Sequence, residues 1–331
     1  MENKAQFAPA WLEFINELGE TPALYGSLEE IESAWLKLGA KMMAKYEVPP
    51  PDDSVQTQDI SLRDFWVRVY TPPNLSLSSK KPVGVYFHGG GWAMGSVDQE
   101  DAICRLVAKH HSMTVVSVSY RLAPKYKYPA ALDDGVKAVN WVVEKFQPPS
   151  VLLLGGSAGG NLAFGTALRL IDSGRGDLVA GIIALVPVTI HPDAVPTDIK
   201  AAGRYTSYDT NADATVNTKS AMETFFAAYE APIDDKYTSC ILHPRLNELK
   251  KVYIAECGAD TLRDDARLMK AQLEDVGVPV GYDAYPGFPH YSWTFPAACL
   301  GAHRGEFLGR MLDGVGWVGG FEGGRSMKGR I

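Results

Sequence analysis

The sequence predicts an α/β fold with a mostly parallel central sheet, flanking helices and a helical cap. Three observations carry that prediction. Short apolar runs at 83–87, 114–118, 151–154, 182–186, 252–255 and 280–285 read as strands, and several are apolar throughout, as in strands buried on both sheet faces. Helical patterns at 130–146, 161–171 and 262–276 fall between them, and such alternation is the mark of a doubly wound parallel sheet. Two stretches break that rhythm, 1–50 and 190–245.

The first stretch reads as helices. Ser27-Leu28-Glu29-Glu30 is a capping-box pattern, and Ile31, Trp35, Leu38 and Met42 follow at spacings of three and four, making one apolar face. Pro49-Pro50-Pro51 stops that helix and marks a boundary. Residues 1–50 are therefore expected to form an N-terminal cap segment, and 51–331 the main domain. Beyond the boundary, Phe65, Val67 and Val69 alternate with Arg68 and Tyr70 in an extended stretch. The stretch 190–245 is rich in Pro, Asp, Thr and Asn, with a helix-like segment through Phe225, Phe226 and Tyr229. It reads as an insertion that joins the cap. Gly277 suits the stop of the last helix, and the glycine-rich 319–324 is expected to fray.

Composition narrows the function classes. A chain of 331 residues, 46% hydrophobic and 21% charged, can bury a large core unaided and is not a disordered chain. A net charge of -7 without any long basic run argues against a nucleic-acid partner. No stretch of about twenty apolar residues is present, so no membrane span is expected. Met1-Glu2-Asn3-Lys4 opens no secretory signal and Lys328-Gly329-Arg330-Ile331 matches no retention signal, so the expected compartment is the cytoplasm. Cys104, Cys240, Cys257 and Cys299 lie far apart without CxxC spacing, which reads as free thiols and no metal.

The chemistry concentrates in three places. Gly155-Gly156-Ser157-Ala158-Gly159-Gly160 follows a strand and precedes a helix. That G-x-S-x-G pattern at a strand-to-helix turn is a nucleophile elbow, whose sharpness demands small neighbours. A dinucleotide phosphate turn fits poorly, because Ser157 stands where the second glycine belongs. His88-Gly89-Gly90-Gly91-Trp92 follows the strand at 83–87, and its glycines allow backbone N–H groups to face a developing oxyanion. His88 itself reads as a hydrogen-bonding residue that shapes the loop.

A nucleophilic serine needs a base, and the base an orienting carboxylate. Of seven histidines, His290 lies in a loop after the last strand. Asp260 is the first carboxylate after the strand at 252–255, while Asp264 and Asp265 read as first-turn acids of the next helix. The order Ser157, Asp260, His290 places all three after the carboxyl ends of strands, where open α/β sheets build their sites.

These residues together resemble the hormone-sensitive-lipase-like esterases. The resemblance rests on HGGGW at 88–92, Tyr120-Arg121-Leu122-Ala123-Pro124 continuing to Pro129-Ala130-Ala131 and Asp134, GGSAGG at 155–160, Asp260-Thr261-Leu262-Arg263-Asp264, and His290. It implies an α/β-hydrolase fold and serine carboxylesterase activity on short- to medium-chain or aromatic esters, with no cofactor and a small-molecule ester as partner. It further implies Ser157 as nucleophile, His290 as base, Asp260 as orienter, and the N–H groups of Gly89, Gly90 and Ala158 as the oxyanion hole. The chain also looks similar to fungal members, including esterases of secondary-metabolite pathways that remove acetyl groups. Two positions depart from the family: it usually has Asp or Thr before the serine, where this chain has Gly156, and a small residue then Phe after the histidine, where Tyr291-Ser292-Trp293 follow.

Trp92, beside the oxyanion loop, and Phe225 and Phe226, in the insertion, are the expected substrate contacts. Trp11, Phe14, Met42 and Met43 are further cap candidates, and for these as for Phe225 and Phe226 core packing is the plainer reading. An acyltransferase, or a lactonase or deacetylase of a secondary metabolite, shares the same acyl-enzyme and stays open at this level, as does a homodimer. A non-catalytic receptor on the same fold is disfavoured because the triad is intact.

Overall fold

Strands β3 (Val83–Phe87), β5 (Val151–Gly156), β6 (Val179–Leu185) and β7 (Val252–Cys257) have almost no exposed side chain, and their place in the sheet explains why. In the computed structural model, which describes residues 6–73, 75, 81–213 and 216–321, they lie side by side in the middle of an eight-stranded sheet. The order is β1-β2-β4-β3-β5-β6-β7-β8, with β1 (Gln56–Ser61), β2 (Trp66–Thr71), β4 (Val115–Ser119) and β8 (Val280–Tyr285). β2 pairs antiparallel with β1 and β4, and every other pair is parallel. The parallel set matches the predicted strands. The edge strand β1 has the polar sequence QTQDIS and lies mostly exposed, so it carries no apolar signal to read.

Successive side chains of the central strands point to opposite faces. Val85, Phe87, Leu153, Ile182 and Ile254 join one core cluster, and Tyr86, Leu152, Leu154, Ile183 and Tyr253 another. The first face is covered by α4 (Ala130–Phe146), α5 (Ala158–Asp172) and α9 (Arg263–Asp275), through Val139, Leu162, Leu168 and Met269. The second is covered by α3 (Asp101–His111) and α10 (Gly301–Gly319), through Val107, Phe307 and Met311. Each fully buried side chain of this kind stabilises the fold by about 1.5–3 kcal/mol.

Two segments meet over one end of the sheet. The N-terminal one holds α1 (Pro9–Leu18) and α2 (Leu28–Lys45). The predicted capping box is present: Ser27 Oγ accepts from the Glu30 N–H at 3.3 Å, and Glu30 Oε2 accepts from the Ser27 N–H at 2.8 Å. The insertion holds α6 (Thr197–Ala201), α7 (Ser207–Thr210) and α8 (Lys219–Tyr229). The Leu24 N–H donates to the Val216 carbonyl at 3.1 Å, and Thr224 Oγ1 donates to the Gly26 carbonyl at 2.7 Å. Trp11, Phe14, Leu18 and Met42 pack with Val216, Phe295 and Leu300 in a third cluster.

All four cysteines are free thiols, and Cys104, Cys240 and Cys257 are buried. Among the described residues no helix is long and apolar enough to cross a membrane. Residues 1–4, 322–324 of the glycine-rich end, and 328–331 lie outside the described residues.

Candidate active site

Ser157 stands between β5 and α5 with φ 54° and ψ -121°, a backbone conformation that L-residues avoid. The turn is held open by its surroundings. The Ser157 N–H donates to the Leu185 carbonyl at 2.8 Å, and its own carbonyl accepts from Asn161 at 3.1 Å and Val188 at 3.3 Å. The flanking glycines are sterically required: a Cβ on Gly159 would lie 2.0 Å from the Phe87 carbonyl oxygen, and one on Gly155 2.4 Å from the Gly159 backbone. The packed sheet thus imposes the elbow on the serine.

His290 follows β8 and Asp260 follows β7. His290 Nδ1 lies 2.6 Å from Asp260 Oδ2, and both side chains are buried. The other carboxylate oxygen, Oδ1, accepts from the Leu262 N–H at 3.0 Å. With Nδ1 engaged, the imidazole leaves Nε2 for the cavity that His290 and Ser157 both line. Asp264 and Asp265 touch no histidine. Asp264 accepts from the N–H groups of Thr206 and Ser207, and Asp265 from those of Thr189 and Ile190 and from the Tyr205 hydroxyl. Burial pushes the Asp265 carboxyl up to about 7, against the pull of those hydrogen bonds.

One of the expected oxyanion donors is already engaged: the Gly89 N–H donates to Glu100 Oε1 at 2.7 Å. Gly90 and Gly91 follow with φ 114° and 58°, and among the described residues their N–H groups, like that of Ala158, have no acceptor. A Cβ on Gly90 would lie 2.2 Å from the Met94 carbonyl oxygen. His88 supports the loop as expected: it is buried, stacked on Tyr120 at 4.2 Å, with Nδ1 2.8 Å from the Gly89 carbonyl oxygen. Burial pushes its imidazole down to about 4, so it is neutral at pH 7. The YRLAP block braces the same loop: Tyr120 Oη donates to the His88 carbonyl, Ala123 N–H to the Trp92 carbonyl, and Arg121 pairs with buried Asp134 at 2.7 Å.

Of the expected substrate contacts, only Phe225 lines the cavity. Trp92 does not line the cavity; it is fully buried and stacks on Tyr229 at 4.6 Å. Phe226 packs on Trp92 and His191 instead of entering the cavity. Phe225 does line it, pressed against the Gly91 backbone. Of the cap candidates, Trp11, Phe14 and Met42 pack in the third cluster, and Met43 is exposed. The remaining apolar wall comes from Leu24, Trp35, Met94 and Val216, which carried no motif. Glu100 and Tyr291 also line the cavity; Tyr291 was marked only as a departure from the family pattern, and Glu100 by nothing in the sequence.

Residues 84–294 match the family described as the alpha/beta hydrolase fold. The chain belongs to that family, in its hormone-sensitive-lipase-like branch. The versiconal hemiacetal acetate esterase of Aspergillus parasiticus is 52% identical over 313 residues, 94% of this chain and 98% of that protein. An FAD-linked oxidoreductase of Aspergillus terreus is 54% identical over 278 residues, 84% of this chain, and this match spans only 34% of that longer protein. Among solved structures, a hyperthermophilic esterase from the archaeon Pyrobaculum calidifontis superposes with a TM-score of 0.74 at 26% identity, covering 93% of this chain and 97% of that one. This α/β-hydrolase is a carboxylic-ester hydrolase that acts on small molecules.

Proposed function

We propose that this hydrolase cleaves a short-acyl ester of a larger, largely apolar alcohol through an acyl-enzyme on Ser157. One observation carries the reading: His290 is held by Asp260 at 2.6 Å and shares a cavity with Ser157 at the tip of its elbow. Ser157 Oγ attacks the ester carbonyl as His290 Nε2 takes its proton, and Asp260 stabilises the imidazolium. The alcohol leaves with that proton, and water attacks the acyl-enzyme by the same route. Gly90, Gly91 and Ala158 supply the N–H groups for the oxyanion.

The size of the cavity supports a short acyl group. It holds about 110 Å³, below the ~300–1,000 Å³ of sites for drug-sized ligands. An open apolar groove along α2, lined by Leu38, Met42 and Phe295, shares Trp35, Gln99 and Thr294 with it and suits the alcohol half. The Aspergillus parasiticus relative is named for an acetate ester, which agrees with acetyl as the acyl group.

Hydrolysis of p-nitrophenyl acetate, butyrate, octanoate and laurate beside Ser157→Ala tests the reading. Turnover is expected to be highest on acetate or butyrate and lost in the variant. Turnover that survives Ser157→Ala, or a preference for laurate, would overturn it.

A further inference from the structure

The two departures beside the serine and the histidine meet in one place. A Cβ on Gly156 would lie 2.0 Å from the Tyr291 hydroxyl oxygen, and one on Gly89 would lie 2.4 Å from the same atom. Tyr291, with φ 56°, therefore brings its phenol into the space between the elbow and the oxyanion loop. A side chain before the serine and a phenol after the histidine exclude each other.

That phenol leads to a buried carboxylate. Tyr291 Oη donates to Glu100 Oε1 at 2.8 Å, and the same oxygen accepts the Gly89 N–H at 2.7 Å. The other oxygen accepts from Tyr86 Oη, on the strand that runs into the loop. The Gly89 N–H can only donate and both phenols are able to, so Glu100 has three donors around its two oxygens. One side chain thus ties β3, the oxyanion loop and the His290 loop together.

The tie fixes which way the peptides face. With the Gly89 N–H turned onto Glu100, the next two peptide groups, freed by the positive φ of Gly90 and Gly91, are the ones left to serve the cavity. Without an acceptor at position 100, the loop loses its anchor and its N–H groups lose their fixed aim.

We propose that Glu100 is the positioning residue of the oxyanion loop, and that Tyr291 couples it to the base loop across the space that Gly156 leaves open. This rests on the acyl-enzyme reading above. Glu100 does not touch the reacting atoms; it acts through Gly89.

The test compares Glu100→Ala, Glu100→Gln and Tyr291→Phe with the wild type on p-nitrophenyl acetate. It also measures thermal midpoints and the affinity for a trifluoromethyl ketone, which forms an oxyanion adduct with the serine. Misaimed donors should lower kcat by about 30- to 100-fold in Glu100→Ala, with KM within about threefold. Ketone affinity should fall in step. Glu100→Gln keeps an oxygen for the Gly89 N–H, so it and Tyr291→Phe should lose only about three- to tenfold in kcat. These near-isosteric variants decide the matter if Glu100→Ala does not fold. Gly156→Ala should lose more than about tenfold, and adding Tyr291→Ala should recover part of that loss by relieving the clash. The inference is overturned if Glu100→Gln and Tyr291→Phe both keep wild-type kcat and ketone affinity, or if Gly156→Ala alone is fully active. Wild-type turnover indifferent to Ser157 would instead sink the acyl-enzyme reading itself, and this inference with it.

Discussion

At the scale of single residues, backbone strain and hydrogen-bond orientation decide what each group can do. Ser157 sits at φ 54°, which costs on the order of 1–3 kcal/mol and persists only because Leu185, Val188 and Gly159 over-determine it. The proposed orienting carboxylate is fixed as firmly: Asp260 bonds the imidazole, whereas Asp264 is spent on the Thr206 and Ser207 N–H groups. Asp260→Asn should therefore lower kcat by about 10³- to 10⁴-fold by favouring the wrong imidazole tautomer. Asp264→Asn should stay within about tenfold, since its loss acts through the insertion. Steady-state rates on variants with native circular dichroism check this, and a reversed ranking would move the orienter to Asp264. Ser157, Asp260 and His290 could be proposed together from the sequence because each follows a recognisable strand, and the structure brings Asp260 onto His290 with Ser157 in the same cavity. The proposed oxyanion donors share Gly90 and Ala158 with the sequence reading and put Gly91 in place of Gly89. Which glycine N–H faces the cavity depends on an acceptor, Glu100, that no motif announces. Trp92 was misread because the turn at φ 58° swings its side chain into the core, onto a tyrosine more than a hundred residues away.

At the scale of elements, the start of α9 does more than complement a helix dipole. Its first turn presents Asp264 and Asp265, which together accept from four backbone N–H groups and the Tyr205 hydroxyl. They bind the insertion to the catalytic end of the sheet. Asp265 does so from a fully buried position, and burial raises its carboxyl from 3.8 to about 7. The unfolded chain releases this proton near 3.8 and the fold near 7. The stabilisation from holding the proton is therefore complete at low pH and is lost as pH rises through that window. Asp265→Asn has no proton to lose. Its stability relative to wild type should rise between pH 4 and 7, by at most about 1.4 kcal/mol per unit, and level off above. Urea unfolding at pH 5 and pH 8 measures the difference, and a gap that does not change with pH would refute it. Apolar periodicity made the central strands and the helices α4, α5 and α9 legible. It could not reveal β1, whose six residues are mostly exposed and which pairs along its length with β2.

At the scale of the whole molecule, the cavity is lined by segments far apart in sequence that meet over one end of the sheet. Leu24 and Trp35 arrive from the N-terminal stretch, Val216 and Phe225 from the insertion, and the glycines, Ser157 and His290 from the sheet. The N-terminal helices are anchored on the base loop as well: the Ala8 N–H donates to the Gly287 carbonyl at 2.9 Å, three residues before His290. The cap was legible as helices plus an insertion, but its contact residues were not, because they are ordinary apolar residues made specific by packing. Trp35 occupies the junction between the enclosed cavity and the open groove along α2. It is half-buried and packs against both the main core and the third cluster, so Trp35→Ala is compared with the wild type under conditions where circular dichroism shows both folded. Removing the indole merges the two spaces, and an acyl chain gains room that a rigid wall denied it. Trp35→Ala should raise the octanoate-to-acetate ratio of kcat/KM by about ten- to a hundredfold, within the range that a few methylenes contribute in an apolar pocket. Removing residues 1–45 should abolish the wild-type preference or the solubility of the chain, because it strips away Leu24 and Trp35 and bares Phe295 and Val216. A soluble truncated chain with the wild-type chain-length profile, beside an unchanged ratio in Trp35→Ala, would show that the cap does not set the acyl limit.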